Sequence, residues 1–259
     1  MKMNKVRQAI AEGRLAIGTH CTSEDIGLYE ICGKCGYDYI WIDAEHGPMT
    51  LNTILDGIVG TASGGCDSFV RVAKNDPVLA KPVLEMGADG IIFPMINTPE
   101  EAETAVKSCM YPPMGTRGYG PIRALDYCGN ADEYIKSADN GIFKIIQAEH
   151  IDCVNNLDEI LDVPNIDLVM VGPMDLSASI GKLGKLADPE VRELIKKIAE
   201  SCKEHRVPFG LSVGYDLDLV RYFIELGAAC ITMGNAYAYF AMMSDRAIGD
   251  IRAMEKDLR

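Results

Sequence analysis

The chain is short of positive charge. Its 259 residues carry 25 Lys and Arg against 38 Asp and Glu, a formal net charge of -13. Phosphate backbones are bound by clustered Lys and Arg, so this balance argues against a broad nucleic-acid surface. It leaves room for a local anion site, which one buried Arg can build. Long apolar runs are missing as well. The longest uncharged stretch, Leu226 to Ser244, contains Gly227, Thr232, Gly234 and Asn235 and reads as strand, turn and helix, not as a membrane span. No apolar run follows Met1-Lys2-Met3-Asn4-Lys5-Val6-Arg7, so no secretory leader is expected. Low-complexity tracts and linkers rich in Pro, Gly and Ser are absent. The length permits one large α/β domain or two small ones.

Cysteine is present but without a framework. Nine Cys, an odd number, with no secretion signal point to a reduced, cytoplasmic protein. Cys32 and Cys35 form a single C-x-x-C with no partner pair and no His at zinc spacing. Ile31-Cys32-Gly33-Lys34-Cys35-Gly36 reads instead as a helix end stopped by glycine. Gly115-Thr116-Arg117-Gly118-Tyr119-Gly120 is glycine-rich but follows no clear strand, which makes it a poor nucleotide loop. Walker and Rossmann patterns, a Ser-His-Asp order and a Cys/His zinc cluster are all lacking.

What the chain does have is alternation. Strands are expected at Leu15–His20, Asp38–Asp43, Asp67–Val72, Gly90–Pro94, Ile142–Glu149, Asp167–Gly172, Pro208–Val213 and Ala229–Gly234. Helices are expected at Asp25–Cys35, Leu51–Thr61, Pro77–Met86, Pro99–Cys109, Cys153–Leu161, Pro189–Glu204, Leu217–Leu226 and Ala236–Lys256. Asp76-Pro77, Thr98-Pro99-Glu100-Glu101 and Asp188-Pro189-Glu190 are helix-start signals. Cys35-Gly36-Tyr37-Asp38, Met86-Gly87-Ala88-Asp89 and Leu226-Gly227-Ala228-Ala229 share one form, a helix ending at Gly just before a buried strand. Eight strands alternating with eight helices predict a single-domain (β/α)8 TIM barrel over residues 1–259, in preference to an open doubly wound sheet.

In such a barrel, chemistry sits at the C-terminal ends of the strands. Those ends read Asp43-Ala44-Glu45-His46, Arg71-Val72, Gln147-Ala148-Glu149 and Gly172-Pro173-Met174-Asp175. Charged groups at the ends of apolar strands are costly unless paired or ligating a metal. Glu149 and Asp175, with few other ligands, suit a hard divalent cation such as Mg²⁺ or Mn²⁺ that keeps several waters. The alternative is that both pair with Arg or cap helices, as Asp175 could cap the Leu176-Ser177-Ala178 turn. Arg71 could satisfy a structural Asp or fork onto a substrate carboxylate. His46 could be a core histidine or part of a proton-transfer group. Covalent Schiff-base chemistry would need a barrel Lys. Alternation puts Lys144 on the face opposite Gln147 and Glu149, toward the helices, and leaves Lys74 as a rival at a strand end.

Four segments in order resemble the HpcH/HpaI family of class II pyruvate aldolases. They are Trp41-Ile42-Asp43-Ala44-Glu45-His46-Gly47-Pro48, Arg71-Val72-Ala73-Lys74-Asn75-Asp76-Pro77, Tyr111-Pro112-Pro113-Met114-Gly115-Thr116-Arg117-Gly118-Tyr119-Gly120 and Val171-Gly172-Pro173-Met174-Asp175-Leu176-Ser177-Ala178-Ser179. That family includes 4-hydroxy-2-oxoheptanedioate aldolase and 2-keto-3-deoxy sugar-acid aldolases. The resemblance implies cleavage of a 4-hydroxy-2-oxo acid to pyruvate and an aldehyde. It implies a divalent metal (Mg²⁺, Mn²⁺ or Co²⁺) on Glu149 and Asp175. Arg71 and Gln147, with backbone N–H groups of the Gly172, Pro173, Met174 and Asp175 turn, would bind pyruvate. His46 would belong to the acid/base group with Asp43 near it and Glu85 as supporting carboxylate. A homohexamer is implied too, with sites at subunit boundaries and the last helix packed on a neighbour. Departures from the family pattern fall at Glu85, where Asp is usual, and at Lys74, His150 and the Pro121–Asp126 tract; they bear on the aldehyde side. A related phosphoenolpyruvate or acyl-CoA lyase barrel, or a non-catalytic 2-oxo-acid binding protein, would reuse the same pocket.

Overall fold

The computed structural model describes residues 4–259; Met1 to Met3, which open the segment read as lacking a leader, lie outside the described residues. The strands are β1 Ala16–Cys21, β2 Tyr39–Asp43, β3 Asp67–Arg71, β4 Gly90–Phe93, β5 Phe143–Ala148, β6 Leu168–Val171, β7 Phe209–Val213 and β8 Cys230–Asn235. Each pairs in parallel with the next, and β8 returns to β1, closing the barrel. Around them lie α1 Lys5–Ala11, α2 Ile26–Lys34, α3 Leu51–Gly64, α4 Pro77–Glu85, α5 Pro99–Cys109 and α6 Ala131–Gly141. The second half adds α7 Ile151–Asn155, α8 Leu157–Leu161, α9 Pro173–Ser179, α10 Pro189–His205, α11 Leu217–Glu225 and α12 Ala236–Asp257. The expected TIM barrel is what forms.

The start signals act as read. Asp76, Thr98 and Asp188 cap α4, α5 and α10 with side-chain oxygens on backbone N–H groups, and Pro follows each at the first position. Such caps are worth about 1 kcal/mol each. The repeated Gly turns leave their helices in the left-handed region, with φ of 98° at Gly36, 78° at Gly87 and 90° at Gly227. The helices differ from expectation in four places. Helices α1 and α6 lie outside the expected set; α1 buries only Val6 and Ala9 and α6 only Ala138. The expected Cys153–Leu161 helix breaks at Asn156 into α7 and α8. The Leu176 turn is the middle of α9, whose cap position is Gly172, not Asp175.

Strand parity decides what faces inward. Tyr39, Trp41, Phe69, Phe143, Ile145, Leu168 and Met170 fill the barrel, with Val6 and Ala9 of α1 plugging the bottom. Phe69 and Phe143 stack at 5.3 Å, and the Tyr39 hydroxyl meets Thr232 Oγ1 at 2.6 Å. The alternate residues, such as Ile40, Ile42, Val70 and Ile146, pack under the helices. Carried to the strand ends, the inward parity that includes Trp41, Phe69 and Ile145 continues to Asp43, Arg71, Gln147 and Glu149. Lys144 takes the outward parity, where its ammonium donates to the carbonyls of Asp139 (3.1 Å) and Ile142 (3.0 Å) and pairs with Asp167 (3.4 Å).

Candidate active site

At the C-terminal mouth lies a cavity of about 220 Å³. One side is built from the expected residues: His46, Arg71, Gln147, Glu149 and the Gly172–Asp175 turn. Arg71, buried at the end of β3, organises this side. It donates from Nε to Asp43 Oδ1 at 2.9 Å and from Nη2 to Asp43 Oδ2. Its Nη1 donates to Gln147 Oε1 at 3.3 Å and pairs with Glu45 Oε2 at 2.8 Å. Gln147 then donates from Nε2 to Glu149 Oε2 at 2.8 Å. A polar chain thus runs Asp43–Arg71–Gln147–Glu149 along the inner face of three strands. The guanidinium also lies 5.2 Å over the Trp41 ring.

Charge in this mouth is unbalanced. Asp43, Glu45 and Glu149 gather around one guanidinium, and the Asp175 carboxylate acts on Glu45 and Glu149. Burial works against ionisation of Asp43, but the hydrogen bonds and charge of Arg71 win and hold it below the usual carboxylate range. For Glu45 burial wins over Arg71 and pushes the carboxyl up. Glu149 is the extreme case. Burial raises it to about 7, the Met95 N–H opposes this at 2.8 Å, and the Glu45 and Asp175 carboxylates reinforce it. Gly172 permits this crowding, since a Cβ there would stand 2.6 Å from Glu149 Oε2. The Gly172 N–H already donates to the Ala148 carbonyl, and Pro173 has none, so the open amides of the turn are those of Met174 and Asp175.

The other expected residues fall as follows. His46 is in the loop after β2, its side chain 65% exposed and its Nε2 3.8 Å from Glu45 Oε2. Asp43 accepts the backbone N–H groups of Glu45 (3.0 Å) and His46 (3.3 Å), so it shapes the loop and leaves the imidazole alone. Glu85 is not brought to His46 within one chain. It ends α4, at the opposite end of the barrel, and pairs with the buried Arg117 at 3.2 Å. His20, Ser212, Gly234 and Asn235, with Val213 and Gly214, line the rest of the cavity and are not among the expected residues. A signal existed: Ala16, Gly18 and His20 share a parity, as do Gly210 and Ser212, and all end at the mouth. Lysine is absent from the residues lining this cavity.

The HpcH/HpaI aldolase/citrate lyase family profile matches residues 17–241. The chain belongs to the HpcH/HpaI aldolase/citrate lyase family. Among HpcH/HpaI relatives, a 5-keto-4-deoxy-D-glucarate aldolase from Klebsiella pneumoniae is 32% identical over 92% of both chains. A 2-dehydro-3,6-dideoxy-6-sulfogluconate aldolase from Pseudomonas putida is 33% identical over 92% of this chain and 90% of its own. In structure, an HpcH/HpaI aldolase/citrate lyase family protein from Burkholderia cenocepacia superposes with a TM-score of 0.90 at 27% identity, covering 96% of this chain and all of that one (100%). As a member of the HpcH/HpaI family at this level of likeness to named aldolases, the chain is a carbon–carbon lyase, a class II aldolase.

Proposed function

We propose that the mouth cleaves a 4-hydroxy-2-oxo acid, such as a 2-keto-3-deoxy sugar acid, reversibly into pyruvate and an aldehyde, with a divalent cation on Glu149 and Asp175. The excess of carboxylates over positive charge carries this reading. Each Glu149 oxygen accepts one N–H, leaving a lone pair on each, and the donor set is oxygen only. No group of three or more His, Cys, Asp or Glu suited to a metal occurs among the described residues. Two carboxylates fit an ion that keeps waters and takes substrate oxygens, as Mg²⁺, Mn²⁺ or Co²⁺ do. When bound, the ion supplies Lewis acidity at the keto oxygen of pyruvate, where negative charge develops. Arg71 contributes its charge to the substrate carboxylate, and the Met174 and Asp175 amides orient it. Gln147, engaged at both ends, fixes Arg71 and Glu149 and keeps one amide hydrogen for the substrate. His46 takes the proton of the 4-hydroxyl, directly or through water. The C3–C4 bond then breaks, its electron pair stays on C3, the aldehyde leaves, and protonation of C3 gives pyruvate.

The working unit is a homo-oligomer of this one-domain chain, with a hexamer favoured. Two observations support assembly. Helix α12 buries only Ala236 along 22 residues and exposes Phe240 (76%), Ile251 (65%) and Met254 (62%). Glu85 can support His46 only from another subunit, and inside one chain Glu85 Oε2 and Arg117 Nε and Nη1 are buried without hydrogen-bond partners. A cytoplasmic setting is supported by buried thiols such as Cys109, Cys202 and Cys230, none of them in a disulfide.

The test is metal removal. EDTA should abolish cleavage, and Mg²⁺, Mn²⁺ or Co²⁺ should restore it. Full activity without metal, with borohydride trapping pyruvate on a Lys, would refute the proposal. Binding of 2-oxo acids without turnover would identify a binding protein, and turnover of acyl-CoA esters alone a related lyase.

A further inference from the structure

The cavity wall made by β1, β7 and β8 carries a polar pair that the chemistry above does not use. His20 Nδ1 lies 2.9 Å from the Gly234 carbonyl and its Nε2 lies 3.0 Å from Ser212 Oγ. A carbonyl can only accept, so Nδ1 carries the hydrogen. Burial lowers the affinity of this ring for a second proton, against the pull of the Gly234 carbonyl, and keeps it neutral. Its Nε2 is then a bare acceptor, and the Ser212 hydroxyl must donate to it. With its hydrogen committed, Ser212 Oγ offers lone pairs to the cavity it lines.

The device is held rigidly. Gly234 has φ of 67°, and a Cβ there would strike the Tyr239 hydroxyl at 2.5 Å, so only glycine aims this carbonyl at His20. The His20 ring rests on Trp41, 4.9 Å between centroids, the same indole that lies under Arg71. Asn235, beside His20 in the sheet register, caps α12 with Oδ1 on the Ala238 N–H at 2.8 Å. Its Nδ2 is the end left over as a donor. Ser212 as acceptor and Asn235 as donor match a group that both donates and accepts, which is a hydroxyl. Neither Lys nor Arg stands among the lining residues on this wall, so an anionic group finds no partner there.

We propose that Ser212, fixed as an acceptor by His20, reads a hydroxyl on the aldehyde half of the substrate, so that this site selects hydroxylated aldehydes over their deoxy counterparts. Ser212 is then a specificity residue and His20 a positioning residue acting through it. The inference rests on the aldolase reading and deepens it.

The test uses the full chain with Mn²⁺ and follows pyruvate addition to glycolaldehyde and to propanal, which has a methyl in place of the hydroxyl. The readout is the ratio of kcat/KM values for the two aldehydes, compared between wild type and variants. Ser212→Ala should lower the ratio by about 3- to 10-fold, the worth of one neutral hydrogen bond. Ser212→Thr keeps the hydroxyl and should hold more of the ratio than Ser212→Ala. His20→Phe keeps a ring against Trp41 but frees the serine hydrogen, and should also lower the ratio. An unchanged ratio in Ser212→Ala and His20→Phe, or an equal loss on both aldehydes, overturns the proposal. Exchange of pyruvate methyl protons with deuterated water needs no aldehyde and is read on every sample. Its absence in wild type means that the aldolase reading has failed, whereas exchange with a flat ratio discards the hydroxyl-reading site alone.

Discussion

The two ends of the barrel bury similar charges to different ends. At the bottom, Asp167 is held by Arg7 at 2.7 Å, by Lys144 at 3.4 Å and by the Lys144 backbone N–H at 2.8 Å. The Lys144 ammonium adds two carbonyl acceptors, so each charge of the set meets an opposite charge, although Arg7 Nε makes no hydrogen bond. At the mouth, Asp43, Glu45 and Glu149 share Arg71 with Asp175 adding a further negative charge, and burial raises the Glu45 and Glu149 carboxyls. A buried charge matched by opposite charge is structural. One whose partners fall short marks a place where something else must bind.

The strongest way to break this contrast is at Glu149. Glu149→Gln keeps shape but removes the charge at the mouth, and cleavage should fall on the order of 1,000-fold or more with loss of Mn²⁺ binding by calorimetry. If turnover and metal binding both persist, the imbalance has no catalytic meaning. His46→Ala should lower cleavage by about 100- to 10,000-fold while metal binding stays. Survival of pyruvate proton exchange in that variant would assign His46 to the aldehyde-side hydroxyl, and loss of both would assign it to the enolate. If both rates stay near wild type, His46 is a turn residue.

Arg71→Ala tests whether the guanidinium belongs to both categories at once. It should cost about 2–4 kcal/mol of transition-state stabilisation, seen mainly as weaker pyruvate affinity. It also strands the Asp43 carboxylate, so the melting temperature should drop as well. Normal kinetics with a lowered melting temperature would make Arg71 purely structural. Glu149 sharpens the contrast through pH. Its carboxyl rises from 4.5 to about 7 on folding, so the unfolded state ionises first. Without metal, stability should decline as pH climbs from 4.5 through 7, by up to about 3 kcal/mol. Mn²⁺ should reverse the decline above that range, and denaturant titrations at several pH values measure it. A metal-free protein equally stable across the window would count against the raised carboxyl. The smallest effect on activity belongs to the bottom. Lys144→Met should destabilise by roughly 3 kcal/mol, because two carbonyls and Asp167 lose a donor, yet leave turnover per folded molecule intact. Loss of turnover without loss of stability would revive a Schiff-base role for that lysine.

Much of this was legible in the chain. Strand parity along Ile145, Gln147 and Glu149 put the acid at the mouth and Lys144 under the helices, because a strand alternates whatever surrounds it. Helix starts at Asp76-Pro77 and Thr98-Pro99 were legible because a cap is a local hydrogen bond. Helix α6 was not expected despite its Asn130 cap, because it follows the irregular stretch 121–130 and buries only Ala138.

The sequence by itself determined the barrel, the strand on which each acid stands and the family to which the four motifs point. Local periodicity, glycine turns and caps act over a few residues and survive in one dimension. Only the tertiary structure decided how those groups spend their hydrogen bonds. Arg71 is closed by Asp43, 28 residues away, and by Gln147, 76 away. The tautomer of His20 depends on Gly234 and Ser212, separated from it by 214 and 192 residues. Barrel closure brings β8 and β7 against β1, and no local rule records which donors and acceptors then meet.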